Sequence, residues 1–198
     1  MLPLMIYIYY GSEMGTGQEF AETLGSHLET QGIHNTVMDI DEFEEEDIVN
    51  QELCIFFFST YGNGQPTRSS RAFFAWMKSH CGDNQCMAKV KYAMFGLGDH
   101  NYPRYQAASI LADQMLQKMG ATPILELRKG DAAEDLDGDF ETWEKDLLAK
   151  LQSMYLCFFN KHTTSYALLL SMHDQSLSIP LLLLLMVCNR LQVVPPSS

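Results

Sequence analysis

Residues 9–17 read "YYGSEMGTG", and the reading of this stretch decides the fold. An apolar run, "LPLMIYIYY" (residues 2–10), leads into it, and an amphipathic run, "QEFAETLGSHLE" (residues 18–29), leaves it. A strand, a Gly/Ser/Thr loop and a helix start, in that order, make a cradle for a phosphate. The first N–H groups of a helix lack partners, and the helix dipole adds partial positive charge there. The loop holds no Lys or Arg. That excludes a P-loop, whose G-x-x-x-x-G-K-[ST] pattern brings a lysine, and the spacing also misses the dinucleotide pattern G-x-G-x-x-G. A phosphate that only anchors its owner, as in a mononucleotide cofactor, needs no more than main-chain amides and the hydroxyls of Ser12 and Thr16. The competing reading is an ordinary strand-to-helix turn with a capping Ser or Thr.

Outward from the loop the alternation repeats. Strands are predicted at 2–10, 34–40 ("HNTVMDI"), 52–60 ("ELCIFFFST"), 90–97 ("VKYAMFGL") and 122–127 ("TPILEL"). Helical stripes are predicted from Phe20, Leu24 and Leu28, from "RAFFAWM" (71–77), from Ala108, Leu111, Ala112, Met115 and Met119, and from Phe140, Trp143, Leu147, Leu148 and Leu151. Gly120 is expected to stop the third of these. The acidic run "DEFEEED" (41–47) reads as a solvated connection. Continuous apolar strands alternating with amphipathic helices imply an α/β fold, its parallel sheet covered on both faces. Ligands of such sheets sit beyond the carboxyl ends of the strands, at a switch in strand order.

The bulk numbers narrow the function. The chain has 198 residues, 46% of them hydrophobic, and a formal net charge of −12. The charge argues against nucleic acid and anionic lipid as partners. It is unevenly spread, with 11 Lys/Arg against 24 Asp/Glu in residues 1–151 and 2 against 1 in residues 152–198. We therefore expect one domain over 1–151 and a low-charge apolar tail over 152–198 that is not an independent domain. The apolar block 179–188 is about half the length a bilayer requires, and Pro180 interrupts it. The tail reads as an alternative or read-through C-terminus. Five cysteines and no signal peptide fit reduced thiols and a cytoplasmic location, with membrane association through the tail a lesser expectation. Cys81 and Cys86 lack a second pair at zinc spacing, so no metal site is expected.

Three loops fall at the strands' carboxyl ends: "GSEMGTG" (11–17), "TYGNGQPT" (60–67) and "GLGDHNYPRY" (96–105). Each offers Gly for close backbone approach, and the second and third offer Tyr as a flat face. With "LRKGDAAEDLDGDFETW" (127–143) they carry a resemblance. "YGSEMGTGQEFA" resembles the phosphate loop Y-G-S-x-T-G-T of the FMN-binding, flavodoxin-like domain of diflavin reductases. "STYGNGQPT" resembles A-T-Y-G-x-G-x-P-T, "YAMFGLGDHNYPRY" resembles F-x-V-F-G-L-G-x-x-x-Y, and the fourth segment resembles L-G-D-D-x-x-x-x-x-D-F-x-x-W. The resemblance is greatest to the NADPH–cytochrome (haemoprotein) reductases and covers about residues 6–151.

That resemblance implies a flavodoxin-like three-layer sandwich with a five-stranded parallel sheet in order 2-1-3-4-5. It implies FMN as cofactor. Ser12, Glu13, Met14, Gly15, Thr16 and Gly17 would wrap the phosphate. Tyr61 and Tyr102 would sandwich the ring. Ser59, Thr60 and Gly62 would line one edge through backbone groups. Leu97, Gly98, Asp99, His100, Asn101, Tyr102, Pro103, Arg104, Tyr105 and Gln106 would line the other, and Asp131 would meet the ribityl side. Flanking tyrosines and net negative charge would lower the flavin potentials. Backbone near Gly62 could turn a carbonyl toward the protonated ring. His100 reads as an exposed loop histidine without a partner, and Trp76 and Trp143 read as core. Met14 and Arg104 depart from the pattern: Met14 replaces a Thr hydroxyl, and Arg104 puts a cation beside Tyr102.

The implied function is an electron-transfer module of a diflavin NADPH-dependent reductase, taking electrons from an FAD/NADPH-binding module. It would pass them singly to a haem or iron–sulfur acceptor, with an acidic face steering a basic partner. The alternatives are a free-standing flavodoxin-type carrier and a flavin-free interaction domain of the same fold. As an enzyme the chain is expected to be half of an oxidoreductase or a fragment of one, resembling the FMN half without the FAD/NADPH half.

Overall fold

The computed structural model describes residues 5–80, 82 and 85–171, with side-chain environments through residue 154. Residues 2–4 of the first predicted strand, Cys81, the thiols Cys157 and Cys188 and the 179–188 block therefore lie outside what is described. The chain divides into two compact units, Met1–Gln152 and Ser153–Ser198. The elements run β1 (Ile6–Gly11), α1 (Thr16–Thr30), β2 (Asn35–Asp39), a 3-10 turn (Ile40–Glu42), α2 (Glu45–Ile48), β3 (Leu53–Tyr61), β4 (Gln65–Pro66), α3 (Arg71–His80), β5 (Lys91–Gly98), α4 (Ala107–Lys118), β6 (Thr122–Pro123), β7 (Arg128–Asp131) and α5 (Leu136–Ser171). The second unit holds the 153–171 portion of α5.

β3 is the centre of the sheet. Its first six residues are buried, and they alternate between two aromatic layers. Phe56 and Phe58 stack with Phe73 of α3 at ring-centroid distances of 5.9 Å. Phe57 faces the other way, edge-on to Trp143 of α5 at 5.5 Å. On that second face Phe20 of α1 lies flat on Phe140 of α5, centroids 4.3 Å apart. Trp76 and Trp143 are both buried. Burial of one strand from both sides is why its sequence is apolar without alternation.

The order β2-β1-β3-β5-β6 is parallel throughout, with β7 also beside β5 and β4 antiparallel to β3. This is the expected α/β sandwich and strand order, with seven strands in place of five. The hairpin partner β4 accounts for one. The other comes from a break in the fifth position. Between the pairs Tyr92–Pro123 and Phe95–Arg128, β5 advances three residues while its neighbour advances five. Two residues too many cannot stay in register, so 124–127 bulge out after Ile124 N donates to Tyr92 O at 2.7 Å. The predicted strand 122–127 is thus strand only at its first two residues. The acidic connection contains the 3-10 turn and the four-residue α2, with Glu44 to Asp47 exposed. Leu111 is also corrected: it is 42% exposed, and Leu116 takes the buried place in α4. Gly120, at φ 93°, does end that helix region.

The register brings the strand ends level. Gly11 pairs with Phe58, Ser59 with Leu97, and Gly98 with Asp131. The loops after β1, β3, β5 and β7 therefore emerge along one edge. The chain passes from β1 outward to β2 and returns on the other side of β1, so the switch point lies between β1 and β3.

Candidate functional site

At the mouth of α1, Gly15 is the N-cap residue at φ 94°, a conformation natural to glycine. Ser12 Oγ accepts from Gly15 N at 3.0 Å and from Gly17 N at 3.2 Å. Of the four N–H groups that open the helix, those of Thr16 and Gln18 keep no intrahelical acceptor. With two N–H groups donating to Ser12 Oγ, its own hydrogen points elsewhere and is available to an anion. A Cβ at Gly15 would meet nothing within 4 Å, so the cradle is open. Gly17 is pressed against Ser12 and Ser59, where an added Cβ would lie 3.3 Å from Ser12 Cβ and 3.7 Å from Ser59 Oγ. Met14 is 90% exposed. Glu13 Oε2 accepts from Arg68 N at 3.0 Å, which ties this loop to the segment before α3. Beneath it, buried Thr67 and Ser70 share a hydroxyl hydrogen bond of 2.7 Å, and Ser70 Oγ fills the space that a side chain at Gly11 would need. Arg68 and Ser70 escaped the sequence reading, and Thr67 entered it only as the end of the second loop. Their signal was the cluster "TRSS" ahead of an apolar helix, a capping pattern rather than a cofactor pattern.

The second loop is a hairpin. Thr60 pairs with Pro66 and Tyr61 with Gln65, and Gly62 (φ 52°) and Gly64 (φ 86°) make the turn. Tyr61 is 49% exposed, while Thr60 turns inward so that its Oγ1 accepts from Ala108 N at 3.3 Å. Arg104 lays its stem across Gly64, with Cβ and Cδ each 2.7 Å from the place a Cβ would take.

The third loop is folded by its own turns. Asp99 Oδ1 accepts from Asn101 N at 2.8 Å, Asp99 O from Tyr102 N at 3.1 Å and Tyr102 O from Tyr105 N at 3.2 Å. Tyr102 is 63% exposed, and Asn101, Pro103 and Arg104 flank it on the surface. Leu97 and Gly98 close the strand below, with the Tyr105 ring over Gly98 and its hydroxyl donating to Lys129 O at 3.3 Å.

Two expectations change here. Gln106 does not line the edge of the site: it is wholly buried at φ 59°, and its Nε2 donates to Gly96 O at 3.0 Å and Gly130 O at 2.7 Å. It staples β5 to β7 from within, and Ser109 Oγ donates to its carbonyl and side-chain oxygens at 3.0 and 2.5 Å. Gly96 leaves room for this; a Cβ there would overlap Gln106 and Ser109. Nor is His100 without a partner. Its Nδ1 lies 2.6 Å from Asp131 Oδ2, and its backbone N donates to Asp131 Oδ1 at 3.2 Å. Burial pushes the Asp131 carboxyl up, but N–H donation from Ala133 and from His100 outweighs it and holds the group below the usual carboxylate value. The bond to Asp131, then its charge, holds His100 above the usual imidazole value.

A cavity of about 590 Å³ lies away from these loops, lined by Tyr7, Tyr9, Glu42, Glu44, Asp47 and Gln51 among others. Its buried polar groups satisfy one another. Gln51 Nε2 donates to Tyr9 Oη at 2.7 Å, and Cys54 Sγ donates to Gln51 Oε1 at 3.0 Å. Burial pushes the Tyr9 hydroxyl up to about 12 and the Cys54 thiol well above its ordinary value, so neither ionises in ordinary conditions.

A doubly covered parallel sheet with an open helix mouth and two exposed tyrosines at its switch point defines a flavodoxin-type protein. The profile of the family described as Flavodoxin matches residues 8–143, and the chain belongs to that family, whose cofactor is FMN. Over 145 residues it is 35% identical to the NADPH–cytochrome P450 reductase of Oryctolagus cuniculus and 33% identical to that of Homo sapiens. Each alignment covers 71% of this chain and 21% of the reductase, so the chain spans about a fifth of those relatives. Among solved structures, oxidised flavodoxin 1 from Bacillus cereus superposes with a TM-score of 0.63 at 23% identity, over 75% of this chain and 97% of that one. A flavodoxin from Pseudomonas aeruginosa gives 0.64 at 20%, over 75% and 99%. Among the described residues no helix is long and apolar enough to cross a membrane.

The residues present fit FMN. The open Gly15 mouth suits a phosphate, Tyr61 and Tyr102 present uncovered rings, and Gly62 adds no bulk, since a Cβ there would meet nothing within 4 Å.

Proposed function

We propose that the 1–151 domain holds FMN at the β1–β3 switch point and relays single electrons. They come from an FAD/NADPH-binding module and go to a haem or iron–sulfur acceptor in the cytoplasm. FMN supplies the one-electron chemistry when bound. The protein's part is binding and tuning. Main-chain N–H groups at Thr16 and Gln18, with the Ser12 hydroxyl, receive the phosphate. Tyr61 and Tyr102 take the two faces of the ring, excluding water and disfavouring added negative charge. Gly62, held between two paired hairpin residues, leaves a peptide free to reorient toward the ring edge. The single observation that carries this reading is the exposure of Tyr61 and Tyr102 on neighbouring loops level with the α1 mouth. The 33–35% identity to the reductases, against 20–23% to the flavodoxins, supports a reductase module over a free-standing carrier.

The test is spectroscopic, then kinetic. The full chain, refolded with excess FMN and desalted, is expected to keep flavin absorption. Tyr61→Ala is expected to weaken binding roughly tenfold and raise the fluorescence of the bound flavin. Adding a purified FAD/NADPH module is then expected to give NADPH-dependent haem reduction. A colourless protein after desalting rejects the proposal and leaves a flavin-free interaction domain.

A further inference from the structure

The turn that carries Tyr102 is fastened to β7 twice, through Tyr105 Oη to Lys129 O and through His100 to Asp131, and the second fastening titrates. Tyr102 N bonds to Asp99 O, so the position of the turn follows the position of residues 99–100. Those residues are held to the end of β7 by the two bonds from His100 to Asp131, one from the ring and one from the backbone. Asp131 is itself fixed: it is 8% exposed, its Oδ1 accepts from Ala133 N at 3.0 Å, and its own N donates to Asp139 Oδ2 at 3.3 Å. The His100 ring, by contrast, has a side-chain exposure of 49% and meets solvent protons freely.

We propose that His100 is a positioning residue for the flavin site, fixing the Tyr102 turn through Asp131 more firmly when its imidazole is protonated than when it is neutral. This rests on the FMN reading and deepens it. The reason is charge. An imidazolium donates to a carboxylate in a charge-assisted bond about twice as strong as a neutral one. The charged groups around the ring favour the cation. Asp131 ends β7 and Glu134 comes from the loop after it, each with a carboxylate oxygen within 4.8 Å of a His100 ring nitrogen, and Asp99 comes from its own loop. Asp139 of α5 stands behind Asp131, and Arg104 and Lys129 are the nearby cations in sequence. The imidazolium is also a scarce positive charge at this edge of a chain of net charge −12, where an anionic ligand is to be held. Both effects have the same sign. The carboxylates hold the imidazole value above 6.5, so the clamp is tight below 6.5 and relaxes as pH rises through that raised value.

The experiment measures FMN affinity of the full chain by fluorescence quenching from pH 5.5 to 9, for the natural protein and for His100→Gln. The second phosphate ionisation of the ligand, near 6, acts on both alike and cancels in the ratio. The ratio of affinities is expected to fall about three- to tenfold across the His100 titration. In the ligand-free chain, NMR is expected to show the Tyr102 amide moving with the His100 imidazole, and that movement is expected to vanish in Asp131→Asn. An affinity ratio that is flat with pH overturns the proposal and leaves FMN binding intact. A Tyr102 amide that ignores the His100 titration also overturns it. A chain that binds no FMN at any pH overturns both readings.

Discussion

Met14 stands at the lip of the cradle proposed for the phosphate, with 90% of its surface in water. Among the described residues nothing holds it there, so a hydroxyl at this place has room to reach an anion. Met14→Thr is expected to tighten FMN binding by about 1.5–3 kcal/mol, the worth of a hydrogen bond to a charged group. Equilibrium dialysis checks it, and unchanged affinity would show that the loop already saturates the phosphate. The His100–Asp131 pair makes a second prediction, about the ligand-free fold. The raised His100 value stabilises the fold fully below 6.5 and ceases to do so as pH climbs through it. The lowered Asp131 value stabilises it above 3.8 and ceases to do so as pH falls through it. The pair is therefore worth most between these limits. Asp131→Asn is expected to lower the urea midpoint most in that window and least at pH well below 3.8 and well above 6.5. A variant curve parallel to the natural one contradicts this.

Between β5 and β7 the decisive contact is Gln106, which satisfies the carbonyls of Gly96 and Gly130 from a wholly buried position. Gln106→Ala strands those two acceptors and opens a gap, so a loss of about 2–4 kcal/mol is expected. Chemical denaturation measures it, and a loss below about 1 kcal/mol would mean that water replaces the amide. The sequence displayed most of the architecture but not this strut. β1, β3 and β5 were legible because strands buried on both faces must be apolar throughout. The fifth strand was not, since "TPILEL" is apolar enough for a strand and the two-residue surplus shows only against its partner. The three loops were legible from Gly and Tyr at strand ends. The inward turns of Thr60 and Gln106 were not, because loop composition does not say which side chains point back. The glycine inside β5 was the available signal: Gly96 within a strand marks a close approach, here by Gln106. His100 read as solitary because its partner lies 31 residues on, level with it only in the sheet.

Taken entire, the described molecule is acidic, with the exposed run Glu44 to Asp47 on one connection and further acids through 131–146. An electron acceptor with a basic face would be steered toward it, and steering is screened over about 10 Å at 0.1 M salt. Electron transfer to a basic haem protein is expected to slow several-fold between about 20 and 300 mM salt, measured by stopped flow. A rate indifferent to salt would place recognition on apolar contacts instead. The break in the fifth strand has a different consequence. A sheet margin is a template on which stray chains can add, and long flat margins invite fibres. Here that margin is cut into lengths of two and four residues. Neither offers an invading strand a continuous ladder, so the bulge at 124–127 protects this margin, unlike the unbroken β2 margin opposite, from edge-to-edge addition.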